Sequence, residues 1–220
     1  AHERRRDYAQ AADAYRAALA HGAEPGPTHL RLGVTAARLG DVATAHQHLQ
    51  EARQRGVQGD ELLYYLGLTL NSLGRHEEAV AEWETLCQAH PDDRRLALDI
   101  ARAYDLLGRQ RFDEGDYERA IAAWERCQDI RGEDPPLRRT LAEAWFRLGV
   151  ESLAQARWEE GRAALRQALS LGHDQERVHY YLGLGALAAG DGATAAEELA
   201  PLAAGQPENG RCRYHLGLAL

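Results

Sequence analysis

The chain has 220 residues, 45% hydrophobic and 27% charged, with a net charge of −8. That apolar content is too high and too evenly spread for a disordered chain, and it suffices for one sizeable core or an array of small ones. The acidic balance argues against nucleic-acid binding, which needs clustered positive charge, and no run approaches the roughly 20 apolar residues that span a bilayer.

The opening AHERRRDYAQ passes from charge straight into helix formers, without the apolar core of a secretory leader. This favours a cytoplasmic protein. Arg4-Arg5-Arg6 reads as an exposed helix start. All 26 basic residues are Arg. With abundant Ala and Gly, this matches the codon usage of a GC-rich, bacterial genome. Cys87, Cys127 and Cys212 form no CxxC pair, which argues against a disulfide framework or zinc knuckle.

Taken in order, ERRRDYAQAADAYRAALAHG is a helix carrying Ala11 and Tyr15 on one face, four residues apart. A two-helix pattern then recurs. The first helix of each pair carries Leu32-Gly33, Leu66-Gly67, Leu107-Gly108, Leu148-Gly149, Leu182-Gly183 or Leu216-Gly217; the glycine steps are 34, 41, 41, 34 and 34. Gly40, Gly74, Gly115, Ala156 and Gly190 break these helices. The second helices carry Ala45, Ala79, Ala120, Gly161 and Ala195. Each is followed four residues later by Leu49, Trp83, Trp124, Leu165 or Leu199. The stretches EPGP, HPDD, EDPP, LGHDQ and QPEN carry turn chemistry between units. A repeat of this kind cannot bury its apolar face alone, so neighbouring units must stack.

The two 41-residue steps place the extra seven residues in first helices. In IARAYDLLGRQRFDEGDYERA, Ala101, Tyr104 and Gly108 fit one frame, and Leu107, Gly108 and Gly115 fit another, seven residues on. LAEAWFRLGVESLAQARWEEG repeats this with Ala142, Trp145 and Gly149. Seven residues is nearly two turns, so the apolar face drifts by only ~20°. Long first helices near 93–114 and 136–155 are expected. Gly161, where alanine is the rule, should loosen its helix, and Pro201 should kink or shorten the last second helix.

AWFRLG, GDYERAIAAWERC and EAVAEWETLCQAHPDD resemble the tetratricopeptide repeat family, and the resemblance covers essentially the whole chain. It implies an all-α fold: a right-handed α-solenoid of antiparallel helix pairs, with two central units whose first helices are lengthened by seven residues. The units run approximately 26–59, 60–93, 94–134, 135–174 and 175–208. A lone second helix (1–25) and a lone first helix (209–220) flank them, as in a fragment of a longer array.

The resemblance also implies a groove lined by first helices, with ligand residues at positions 3 and 6 before the glycine and 1, 4 and 5 after it. Those positions include Tyr64, Leu68, Asn71, Arg102, Asp105, Arg109, Phe112, Phe146, Val150, Arg177, Tyr180, Leu184 and Tyr214, together with Leu30, Val34, Leu153 and Arg211. This mixture suits a peptide or partner protein with apolar anchors and acidic groups. Tyr64, Phe146 and Tyr180 suit packing between neighbouring first helices better than ligand contact, and the order reverses for Asn71, Arg102 and Arg109, whose burial without partners would be costly. Some family members clamp a C-terminal carboxylate with Lys, Asn and Arg. This chain has no Lys and places Val34 and Leu68 where Asn is needed, which argues against that role.

No HExxH, GxSxG or phosphate-loop pattern occurs. His46 and His48, two apart on a helix, read as surface residues. Asp174, between His173 and His179, reads as a helix cap. Glu77-Glu78 and Glu159-Glu160 suit positive helix ends. The sequence therefore points to a non-catalytic interaction scaffold without cofactor or metal, with no nucleic acid or membrane partner. The alternative is the docking region of a larger enzyme whose catalytic domain lies elsewhere. Oligomeric state is not readable.

Overall fold

A computed structural model of the chain describes residues 2–205 and 210–220, with side chains at Arg5 and from Asp7 onward. The QPEN turn and the side chains of Arg4 and Arg6 lie outside the described residues. Among the described residues there are twelve α-helices and no strand. They are α1 His2–Ala20, α2 Pro25–Leu39, α3 Val42–Gln54, α4 Asp60–Ser72, α5 His76–Ala89, α6 Arg94–Asp113, α7 Tyr117–Arg131, α8 Pro135–Ala154, α9 Trp158–Ser170, α10 Gln175–Ala188, α11 Gly192–Gly205 and α12 Gly210–Ala219. The chain divides into two compact units, residues 1–107 and 108–220.

In the first unit α2 pairs with α3 and α4 with α5; α1 packs on α2 and α3 on α4. Leu49 and Ala52 of α3 meet Leu62, Tyr65 and Leu66 of α4 in one core cluster. In the second unit α8 pairs with α9 and α10 with α11, α7 packs on α8, and α12 packs on α11. Its cluster joins Phe146 and Leu153 of α8 to Leu165 and Ala168 of α9 and Val178 and Leu182 of α10.

One contact recurs in every hairpin. The large residue of the second helix lies directly on the glycine of the first, sixteen residues earlier: Leu49 on Gly33, Trp83 on Gly67, Trp124 on Gly108, Leu165 on Gly149 and Leu199 on Gly183. A Cβ at any of these glycines would come within 2.4–2.7 Å of that side chain. The bare Cα therefore sets how closely the two backbones approach, and the large side chain fills the crossing.

The hairpin turns follow from local chemistry. Gly40, Gly74, Gly115 and Gly190 adopt left-handed backbone at φ between 77° and 85°, and Ala156 does so at φ 59°. The residue after each returns its N–H to a carbonyl of the helix just ended, as Asp41 does to Ala36 at 3.0 Å. Where that residue is aspartate, its carboxylate caps the next helix: Asp41 accepts from the Thr44 N–H, Asp116 from Arg119 and Asp191 from Thr194. Where it is arginine it instead pairs three residues on, Arg75 with Glu78 and Arg157 with Glu160.

The prolines of EPGP and EDPP do not form turns but open helices. Pro25 starts α2, and Pro135 and Pro136 start α8. A proline at the first helical positions gives up an N–H that has no partner there and brings a φ already helical. Pro201 does not shorten α11, which runs through it to Gly205 and is 14 residues long, the same as α5. Pro201 has no N–H to give to the Glu197 carbonyl, so the helix lacks that one bond without ending there.

Helices α6 and α8 have 20 residues each, against 15, 13 and 14 in α2, α4 and α10. Each long helix buries two small residues seven apart, Ala101 with Gly108 and Ala142 with Gly149. Gly161 also has a packing reason. A Cβ there would meet Leu153 at 2.7 Å and the Gly149 carbonyl at 3.0 Å. Leu153 occupies a socket formed by Gly161 on one helix and Gly185 on another.

The crossing contact yields a signed pair of substitutions. At Gly67 an added methyl meets Trp83, which is 1% exposed and tied through its indole N–H to the Tyr64 carbonyl at 3.1 Å. Gly67→Ala should destabilise by about 2 kcal/mol or more, overpacking outweighing the gain in helix propensity. Gly217 closes the same series, but nothing lies within 4 Å of its Cβ position. Gly217→Ala should be neutral or stabilising by up to about 1 kcal/mol. Urea unfolding of both variants measures the difference.

Candidate functional site

The first helices carry the residues assigned to a groove, and the structure sorts them into three groups. In the first unit they cross-link neighbouring elements. The Tyr64 hydroxyl donates to Asp99 Oδ2 of α6 at 3.1 Å, and its ring meets Tyr65 edge-on at 5.4 Å. Its carbonyl holds Trp83, and the Arg95 guanidinium lies 5.9 Å from its ring centre. Burial, then the Asp99 carboxylate, push the Tyr64 phenol above its ordinary pKa. Asn71 Oδ1 lies 2.6 Å from His76 Nδ1 across the α4–α5 turn. Arg102 is exposed and 3.7 Å from Asp99, and Asp105 is half-buried. Leu68 and Leu30 back the core cluster, and Val34 is part of it.

The second group is buried or half-buried. Phe146 is 2% exposed and cannot meet a ligand. Its ring stacks on His173 at 4.4 Å with 8° between planes, and the Arg177 guanidinium lies 4.6 Å from its centre. Leu153 is buried in its glycine socket and Val150 backs the same core. Leu184 is half-buried. His173 Nε2 lies 2.8 Å from Glu143 Oε2, and Arg147 Nε donates to Glu143 at 2.7 Å. Burial pushes the Glu143 carboxyl up, but these two hydrogen bonds and the charges behind them outweigh it and hold it below its ordinary value.

The third group lines two clefts, both within the second unit. One, of about 670 Å³, is walled by Arg109, Phe112 and Asp113 of α6 and by Pro136, Arg139, Thr140 and Glu143 of α8, with Trp124 of α7 at its base. Phe112 sits tilted on Trp124 at 5.8 Å and edge-on to Tyr117 at 5.2 Å. The other, of about 290 Å³, holds Glu176, Arg177, Tyr180 and Tyr181 of α10, Leu202 of α11, and Arg211 and Cys212 of α12. Burial, then Cys212, push the Tyr180 phenol up. Tyr214, 65% exposed, stands edge-on to His215 at 5.3 Å.

Counting from the glycines therefore found Arg109 and Phe112, and Arg177, Tyr180 and Arg211, which the structure brings together in pairs and triples. It missed Pro136, Arg139 and Glu143. The signal was the second frame of α8: these residues stand 6 and 3 before and 1 after Ala142, not Gly149. Ala142 lies 34 residues after Gly108, so six residues of the larger cleft stand at matching positions counted from Gly108 and from Ala142.

His173 and His179 do not converge on one site. His173 turns to Glu143 of α8, while His179 Nδ1 turns to Glu198 Oε2 of α11 at 2.6 Å. Asp174 between them caps α10 by accepting from Arg177 N–H. Among the described residues no group of three or more His, Cys, Asp or Glu converges as metal ligands, and no helix is long and apolar enough to cross a membrane.

Tetratricopeptide repeat models match residues 1–56, 30–94 and 101–134. The chain belongs to the tetratricopeptide repeat family. Repeats of this class serve in general as scaffolds for protein–protein interaction. No curated protein matches the chain. Among solved structures it is similar to a thermophilic repeat protein of Thermus thermophilus (23% identity, 88% of this chain and 98% of that one, TM-score 0.36). It is also similar to a tetratricopeptide repeat protein from Parabacteroides merdae (15% identity, 99% and 79%, TM-score 0.41). A third is the C-terminal part of a repeat protein from Cytophaga hutchinsonii (11% identity, 96% and 95%, TM-score 0.41).

Two outcomes check these assignments. Tyr64→Phe should lower stability by about 1 kcal/mol in urea unfolding, since it leaves Asp99 without its donor. Glu143→Gln tests the depressed carboxyl. A depressed acid contributes stability above its unfolded pKa and loses it as pH falls through its folded pKa. Wild-type unfolding midpoints should thus drop more steeply than those of Glu143→Gln when the pH is lowered from about 5 through the carboxylate range.

Proposed function

We propose that the chain is a non-catalytic scaffold that binds a peptide segment of a partner protein along the first-helix residues of its second unit. The observation that carries this is the cleft between α6 and α8. Six of its lining residues occupy ligand positions of two units 34 residues apart, and they combine a half-buried aromatic with two exposed guanidiniums. Phe112 on its Trp124 base offers an apolar seat. Arg139 offers a fork-shaped donor suited to a carboxylate, and the Arg109 guanidinium lines the facing wall. Glu143 on the far wall is already engaged by His173 and Arg147. A segment with one aromatic or branched aliphatic anchor flanked by Asp or Glu fits this wall.

The smaller cleft repeats the chemistry two units on. Arg177 and Arg211 stand at the same position of successive units, 34 residues apart, with Tyr180 between them. An extended partner touching both clefts would present acidic groups at two places.

The test is a library of labelled 15-residue peptides scanned by fluorescence anisotropy, varying anchor type and acidic flanks. Binders should carry an apolar anchor beside acidic residues and weaken as salt rises. Arg139→Glu should reduce affinity at least tenfold, with the circular dichroism of the free protein unchanged. Binding that is indifferent to both Arg139→Glu and Phe112→Ala would place the ligand elsewhere.

A further inference from the structure

Between α2 and α3 two imidazoles face each other through like atoms. His29 Nδ1 and His48 Nδ1 are 3.0 Å apart, with ring centres at 5.1 Å and planes inclined by 40°. The corresponding place in the α10–α11 hairpin holds His179 against Glu198, an imidazole against its natural acceptor. At His29 and His48 both partners are bases, and their pairing uses only one proton between two ring nitrogens.

The two rings are held by packing. His48 adjoins Leu49, the fully buried residue seated on Gly33, so the hairpin crossing that fixes Leu49 also fixes His48. His29 lies one turn before Gly33 on the facing helix, and both rings are half-buried. Asp41 and Glu51 of the same helix contribute negative charge near His48, while His29 and Arg16 oppose its protonation. Burial, then the neighbouring His29, push His48 below the ordinary imidazole range.

We propose that His29 and His48 form a two-imidazole site for a divalent transition-metal ion of the Cu2+ or Ni2+ type, with solvent completing its coordination. Imidazole nitrogens bind such ions at about 2.0–2.1 Å, so nitrogens 3.0 Å apart subtend roughly 90–100° at one ion. That is the angle between neighbouring ligands of tetragonal Cu2+ or Ni2+, whereas a tetrahedral ion would set them about 3.3 Å apart. On binding, the proton shared at the Nδ1 pair moves to the outer Nε2 of the same ring, so both lone pairs become available without net proton release. Among the described residues no third ligand converges there, which makes the site open.

The experiment titrates the whole chain with Cu2+ alone and with Ni2+ alone, following the thermal midpoint and, for Cu2+, electron paramagnetic resonance. Wild type should bind one equivalent with a raised midpoint and a spectrum showing two equatorial nitrogens. His29→Asn and His48→Gln should each weaken that equivalent at least tenfold, and the double variant should weaken it little further. Retention of the tight equivalent in both single variants would overturn the site, since eight other histidines could then account for it. So would the lack of any saturable wild-type binding. Should a variant lose its circular dichroism, nitrogen NMR of wild-type histidines decides. Broadening by Ni2+ confined to two rings supports the proposal, and broadening spread over many rings refutes it.

Discussion

The structure depends on one close approach, the seating of a large side chain on a bare Cα sixteen residues earlier. A methyl group at the glycine would occupy the space that Leu49, Trp83, Trp124, Leu165 or Leu199 fills. The glycine is constant because the distance between backbones is constant. The seated residue varies between leucine and tryptophan because only its bulk is constrained. Tryptophan brings an N–H that must be satisfied when buried. At Trp83 the Tyr64 carbonyl meets that need, so the interior contact is tied to a residue on the first-helix face.

The lengthened helices change what that face can offer. Seven residues return the helix to nearly the same angle. Ala101 and Gly108 therefore both point inward on α6, and Ala142 and Gly149 on α8. One small residue of each pair continues the register of the preceding unit; the other starts that of the next. The two extra turns of α8 carry Pro136 and Arg139, and these form the wall opposite Arg109 and Phe112. An insertion of five residues would have turned that wall by about half a revolution.

The helical pairs, their crossings and the left-handed turns were legible in the sequence, because two markers with the same steps locate them independently. Even Ala156, with no glycine signal of its own, was placed by register at a turn where its φ is 59°. The larger cleft was half legible. Position counting from Gly149 could not reach Arg139, although the 41-residue step held the information. Phe146 was misplaced for another reason. Counting gives the direction in which a side chain leaves its helix but not what covers it, and His173 and Arg177 arrive from a helix pair further along. The same blindness made His48 read as a surface residue. Its partner, His29, is nineteen residues away on the facing helix, a spacing that a scan along one helix never compares.

The two units use one repeat face in different ways. In the first, side chains of matching length and opposite polarity meet across neighbouring helices: Tyr64 reaches Asp99, Arg31 reaches Glu61, and Asn71 meets His76 at the turn. Such contacts spend the polar groups of the face on holding helices together. In the second, the inward aromatic Phe146 draws Arg177 and His173 over itself, while Phe112 keeps its ring against Trp124 at the base of an open wall. Burial of the neighbouring aromatic thus separates Arg177, which lies over the buried Phe146 ring, from Arg139, which is exposed in the cleft that Phe112 lines.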